Sequence, residues 1–179
     1  MDAMRLFRDQ VDTPIGPMLI LADERHLRVL EFADAMDRVG DWVGRRFGRP
    51  DLVDARDPLG IATALAAYFA GDLGAIDRVP ATAGGTPFQE RVWSALRRIP
   101  AGQTRSYAGL AREIGHDAAQ RAVGAANGRN PIAVVVPCHR LVGSDGRLTG
   151  YGGGIARKRW LLAHEGWAVT PRAAPGGRA

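Results

Sequence analysis

The segment that most constrains this chain is Asn130-Pro-Ile-Ala-Val-Val-Val-Pro-Cys-His-Arg140. Its centre, Ile132 to Val136, is a β-branched apolar run that demands burial and reads as a short core strand. Pro137 ends that strand because it has no N–H to give a ladder. Cys138, the only cysteine of the chain, is thereby delivered to a strand end beside His139 and Arg140. A thiol becomes a useful nucleophile as a thiolate, and a histidine, a cation or a helix N-terminus nearby is what lowers its pKa. A single cysteine met at random more often packs as a small hydrophobe. The residues flanking this one favour chemistry.

With 179 residues and 46% hydrophobic content, the chain has enough apolar surface for one domain or two small ones. One cysteine excludes an internal disulfide and a thiolate zinc cluster, so no metal and no cofactor are expected. The first residues lack a long apolar stretch, and no run of eighteen apolar residues occurs, so a soluble cytoplasmic protein without a membrane partner is expected. Charge is uneven. Residues 1–85 hold 10 Lys and Arg against 14 Asp and Glu, whereas residues 86–179 hold 14 against 5. The basic excess therefore lies in the half that carries Cys138, a pattern that suits phosphate binding as well as a merely solvated face.

In chain order, Met4–Phe7, Met18–Leu21 and Leu27–Phe32 read as strands of a small antiparallel sheet, separated by turn-forming residues. Ala35–Phe47 and Leu59–Phe69 carry apolar residues at helical spacing. His26 is expected at the surface. Ala81-Thr-Ala-Gly-Gly85 reads as a linker between residues 1–80 and a second domain, 86–167. That domain opens on Thr86-Pro-Phe-Gln89, where Thr86 is a helix cap, Pro87 the first helical residue and Gln89 the partner of a capping box. Ser106–Ile114 and a helix opened by Asp117 then form a helix-turn-helix. The second of these is built almost wholly of small residues, which fits close approach either to a core neighbour or to a DNA groove. Ile155–His164 is a last helix stopped by Gly166, and residues 168–179 have nothing to bury and read as a disordered tail. The fold class expected is α+β: a small N-terminal domain with sheet and helices, then a mainly helical, winged-helix-like domain bearing the cysteine.

Three ordered segments, Arg121-Ala-Val-Gly-Ala-Ala-Asn-Gly-Arg-Asn-Pro131, Pro137-Cys-His-Arg140 and Gly150-Tyr-Gly-Gly-Gly154, resemble the O6-alkylguanine-DNA alkyltransferase family. The resemblance implies irreversible transfer of the alkyl group of O6-alkylguanine, with O4-alkylthymine as a further candidate, from flipped-out bases of double-stranded DNA to Cys138. It implies that His139 takes the thiol proton through a water, that Glu165 orients the imidazole, and that Tyr107 serves the departing guanine and the phosphate backbone. Arg121 corresponds to the residue that fills the gap left by the flipped base. Ala122 belongs to the same DNA-facing helix, which the resemblance places in the minor groove. Asn130 corresponds to a hinge, and Arg129 or Arg140 would hold phosphate or local structure. Backbone groups of Val136 and Cys138 would read the guanine edge, while Tyr151, Gly152 and Gly153 line the alkyl pocket. Gly152 departs from relatives that place a serine there. No stable protein partner is implied, and cooperative assembly along DNA is left open.

Three rival readings remain at this point. A lesion recogniser of the alkyltransferase-like class usually has tryptophan at the cysteine position, which Cys138 argues against. A helix-turn-helix regulator leaves the Cys-His pair unexplained. A hydrolase using Cys138 and His139 would turn over repeatedly.

Overall fold

A computed structural model of the chain describes residues 4–168. The expected tail, apart from Ala168, lies outside the described residues. The N-terminal half forms a four-stranded sheet, ordered β3-β2-β1-β4, from β1 (Arg5–Val11), β2 (Met18–Ala22), β3 (Leu27–Phe32) and β4 (Asp51–Asp54). The three expected strands pair antiparallel, whereas β4 joins β1 parallel, with Arg5 opposite Asp51 and Arg8 opposite Asp54. All four residues of β4 are exposed, and its attachment includes an Arg8–Asp54 ion pair at 2.7 Å.

Alternation along β2 serves two cores. Leu19 and Leu21 pack with Leu6, Val29 and Val39 beneath α1 (Met36–Phe47). Met18, Ile20 and Ala22 face the opposite way and join α2 (Ile61–Phe69) and the C-terminal half in one continuous apolar cluster. A sheet buried on both faces explains why β2 is apolar throughout. Leu96, Ile132, Val134 and Leu161 share that cluster with Leu30 and Phe32. Packing therefore fastens the C-terminal half to the sheet.

The C-terminal half contains α3 (Pro87–Arg97), a short parallel pair β5 (Arg105–Ser106) and β6 (Leu141–Val142), α4 (Tyr107–Glu113), α5 (Gln120–Gly128) and α6 (Ile155–His164). Thr86 and Gln89 make both hydrogen bonds of the expected capping box. Helix α5 starts at Gln120 rather than after Asp117, and its N-cap residue Ala119 supplies no side-chain acceptor.

The edge strand β3 brings distant segments together. Leu27 donates its N–H to Pro80 and accepts from Thr82, at 2.8 and 3.1 Å, so the segment entering the C-terminal half is pinned to this edge. Leu30 donates to Pro131 and accepts from Ala133, at 2.9 and 2.7 Å. Ile132 makes only that one bridge, so the expected strand Ile132–Val136 is not formed. Its residues are buried, as the apolar run demands, but the chain folds back in a tight turn with Val134 at φ +69°. Positive φ in a β-branched residue is strained and persists only where its surroundings enforce it.

Replacing Thr86 with Ala removes a side-chain cap and half of the capping box. The expected loss is about 1 kcal/mol, read as a lower denaturant midpoint with an unchanged slope.

Candidate active site

Asn130 enforces the turn. Its Oδ1 accepts from the N–H of Ile132 at 3.0 Å, and its Nδ2 donates to the carbonyls of Ile132 and Val136 at 3.3 and 2.8 Å. The side chain thus supplies partners that a neighbouring strand would otherwise give. Cys138 follows as the first residue of a single 3-10 turn, Cys138–Arg140, and not at a strand end. The Val136 carbonyl also accepts from the Cys138 N–H at 2.8 Å, so the guanine-reading part expected of it requires one of its two donors to be exchanged.

Cys138 is buried at the foot of a small pocket walled by Ala133, Asn130, Tyr151, Gly152, Glu31 and Arg38. Burial pushes its thiol up to about 11, with the Asn130 side chain and the Lys158 and Arg38 charges opposing that shift and Glu31 adding to it. The resting group is therefore a thiol at neutral pH.

His139 is fully buried, and its Nε2 lies 2.8 Å from Oε1 of Glu165. Glu165 takes its carboxylate from the C-terminal end of α6. Arg140 donates to both of its oxygens, at 2.8 and 2.9 Å, and to the Ile99 carbonyl at 2.5 Å. Tyr68 donates to Oε1 at 2.7 Å. Although burial opposes ionisation, the hydrogen bonds from His139 and Arg140 and the Arg140 charge hold Glu165 well below the usual carboxylate range. His139 is lowered in turn, mainly by burial, with Arg140 and Lys158 adding and Glu165 opposing. A neutral imidazole facing a carboxylate through Nε2 carries its proton there, which leaves Nδ1 as the acceptor. Nδ1 is buried and has no hydrogen-bond partner among the described residues. It is a base waiting for a proton.

Of the two parts expected for Arg140, phosphate or local structure, its surroundings favour the second: it is 2% exposed and committed to Glu165 and Ile99. Asn130, expected at a hinge, is likewise buried and serves the turn.

Two groups near the thiol carried no signal in the sequence. Lys158 is fully buried on α6 and donates to the Thr149 and Gly150 carbonyls at 3.0 and 3.2 Å, which anchors the glycine-rich loop; burial lowers its pKa to about 8. Arg38 of α1 pairs with the buried Glu31 and lies over the loop. A Cβ at Gly152 would collide with its guanidinium, and one at Gly153 would press on the Phe32 and Tyr151 rings. The Arg38 guanidinium is the movable end of a partly exposed side chain, so it is the absence of a side chain at Gly153 that lets Phe32 of the N-terminal half pack closely on the loop. The Tyr151 hydroxyl is buried and has no partner among the described residues.

Outside the pocket, Tyr107 begins α4 under the Ser106 cap, and its hydroxyl donates to the Thr149 carbonyl at 3.3 Å. Helix α5 turns Val123, Ala126 and Asn127 inward. Its outer face is Arg121, Ala122, Ala125 and Gly128, followed by the exposed Arg129. The small residues thus face outward, where close approach concerns another molecule. A roomier cavity of about 630 Å³ between α1 and the sheet is lined by Leu19, Leu21, Val39 and Val43 with Asp9 and Asp54 at its edge, and Cys138 does not reach it.

Comparison with known proteins bears on this geometry. Residues 87–167 match the family described as 6-O-methylguanine DNA methyltransferase, DNA binding domain, and residues 6–81 match 6-O-methylguanine DNA methyltransferase, ribonuclease-like domain. The methylated-DNA–protein-cysteine methyltransferase of Salmonella typhimurium is 47% identical over 169 residues, covering 93% of this chain and 99% of that protein. The protein of that description from Mycobacterium bovis is 47% identical over 158 residues, 87% of this chain and 89% of its own length. Among solved structures, Mycobacterium tuberculosis OGT in complex with DNA is 42% identical with a TM-score of 0.75, covering 89% of this chain and 92% of that one.

Because the folded-state pKa of Glu165 is depressed, its contribution to stability is present above the unfolded value of 4.5 and is lost progressively as pH falls below it. Glu165→Gln leaves Arg140 without its counter-charge, at an expected cost of about 3–5 kcal/mol at pH 7. In urea unfolding at several pH values, the gap between wild type and variant should narrow as the solution is acidified below that value.

Proposed function

This chain belongs to the 6-O-methylguanine DNA methyltransferase family, and we propose that it repairs duplex DNA by moving the alkyl group of O6-alkylguanine to Sγ of its own Cys138. The observation that carries this reading is a buried thiol followed at the next residue by an imidazole whose Nδ1 has no partner among the described residues and whose Nε2 is held by a carboxylate. That is a nucleophile, a base and an orienter in sequence.

In this mechanism the Cys138 proton passes to Nδ1 of His139, through a water, as the lesion enters. The imidazolium is stabilised by Glu165. The thiolate attacks the alkyl carbon in line, a C–S bond forms, and the bond from that carbon to guanine O6 breaks with its electron pair left on the base. Tyr107 supplies a proton or hydrogen bond to the departing guanine. The product thioether resists hydrolysis, so each molecule acts once, and the step balances without a cofactor.

Reaching O6 requires the nucleotide to leave the stack, which costs a few kcal/mol. Exposed Arg121 is suited to fill the gap. Ala122, Ala125 and Gly128 let α5 sit deep in the minor groove as part of a helix-turn-helix, while Arg129 meets phosphate. Tyr151, Gly152 and Gly153 border the alkyl group. We assign residues 1–80 and 86–167 to two domains joined by 81–85. Among the described residues, no helix is long and apolar enough to cross a membrane.

Mixing the protein with a duplex carrying one O6-methylguanine should add a single methyl at Cys138, detected by intact mass and peptide mapping, and none in Cys138→Ser. Binding without a mass change would leave a lesion recogniser instead.

A further inference from the structure

The N-terminal half contains a phenol placed on the carboxylate of the site. Tyr68, at the end of α2, is fully buried, and its hydroxyl donates to Oε1 of Glu165 at 2.7 Å across 97 positions of sequence. The same oxygen meets Nε2 of His139 and accepts from Arg140, both at 2.8 Å. A second link fixes the register of the two helix ends: the Tyr68 carbonyl lies 2.8 Å from Nε2 of His164, the residue before Glu165. The rings of Tyr68 and His164 meet edge to face at 5.1 Å, and Trp160 stacks on the other side of His164 at 4.9 Å.

We infer that Tyr68 is a positioning residue for the transfer reaction: by donating to Glu165 Oε1, it holds the carboxylate and sets how strongly that oxygen draws on His139. The inference rests on the methyl-transfer reading above. A buried phenol needs some acceptor, and packing alone would be met equally well by phenylalanine. Here the acceptor is the oxygen that orients the base. Sharing Oε1 among three donors weakens its hold on an imidazolium, and so favours the neutral imidazole that can accept a proton.

The groups facing this cluster are Arg140 on the turn after Cys138, Lys158 and His164 on α6, and Tyr68 on α2. Arg140 and Lys158 also oppose a charged imidazole. Loss of the Tyr68 hydroxyl leaves those cations in place and frees Oε1 for His139. The imidazolium then persists to higher pH, where a protonated Nδ1 cannot take the thiol proton.

The test compares full-length wild type with Tyr68→Phe. Methyl-transfer rates are measured from pH 5.5 to 9, and the His139 imidazole is titrated by nitrogen NMR in a Cys138→Ser background. The expected result is an upward shift of about half to one pH unit in both the acid limb and the His139 titration, with plateau rates within about twofold. Superimposable pH profiles and titrations would overturn the inference, as would a uniform loss of rate with no shift. If wild type transferred no methyl at any pH, the transfer reading would fail, while the imidazole titration would still decide the link between Tyr68 and His139.

Discussion

The Glu165 carboxylate is the interaction on which the site depends. A buried ionised group is costly unless it is paired and hydrogen-bonded, and this one receives three donor residues from two distant parts of the chain: Tyr68 on α2, and His139 and Arg140 on the turn that begins at the nucleophile, all within 2.9 Å. Arg140 compensates the charge. That leaves the carboxylate able to orient the imidazole without forcing it to be cationic. Helix α2, the cysteine turn and the end of the last helix converge on one pair of oxygens, so this cluster is assembled only when both halves of the chain are folded together.

A second constraint places the sulfur. Edge strand β3 captures Pro131 and Ala133, Asn130 closes the turn from inside, and Val134 is held in a conformation that β-branched residues avoid. The buried apolar run fastens this strained turn to the core, where Ile132 and Val134 pack with Leu30 and Leu96. Cys138 is thereby held rigidly in a pocket closed by Arg38, Glu31 and the glycine-rich loop. The same rigidity keeps Sγ out of water and protonated, a cost offset by having its acceptor at the next residue.

Local signals were legible from the residues alone: the Thr86 capping box, the helical spacing of α1 and α2, and the turn-bounded apolar segments that become β2 and β3. Long-range choices were not. Ile132–Val136 has the composition of a strand, but its partners are an asparagine side chain and one residue of β3, which no local pattern shows. Strand β4 is four exposed residues whose pairing is set by β1. Asp117 looked like a cap, yet α5 begins three residues later at Gln120. At the site, Cys138, His139 and the glycine-rich loop stood out through their motif, whereas Lys158, Arg38 and Tyr68 reach it by tertiary packing. For Arg140 the residues left two parts open, phosphate or local structure, because a basic residue beside a nucleophile suggests an anion and only the folded chain shows an internal one, Glu165.

The central claim is that the resting site holds a thiol and a neutral imidazole, and that the proton moves only as substrate enters. Ultraviolet thiolate absorbance of the folded protein, corrected against Cys138→Ser, tests this directly. The account predicts no thiolate signal at neutral pH and a rise only as the pH approaches about 11. A full thiolate signal at pH 7 would contradict it, since the site would then rest as a thiolate–imidazolium pair and Nδ1 would have no proton left to receive.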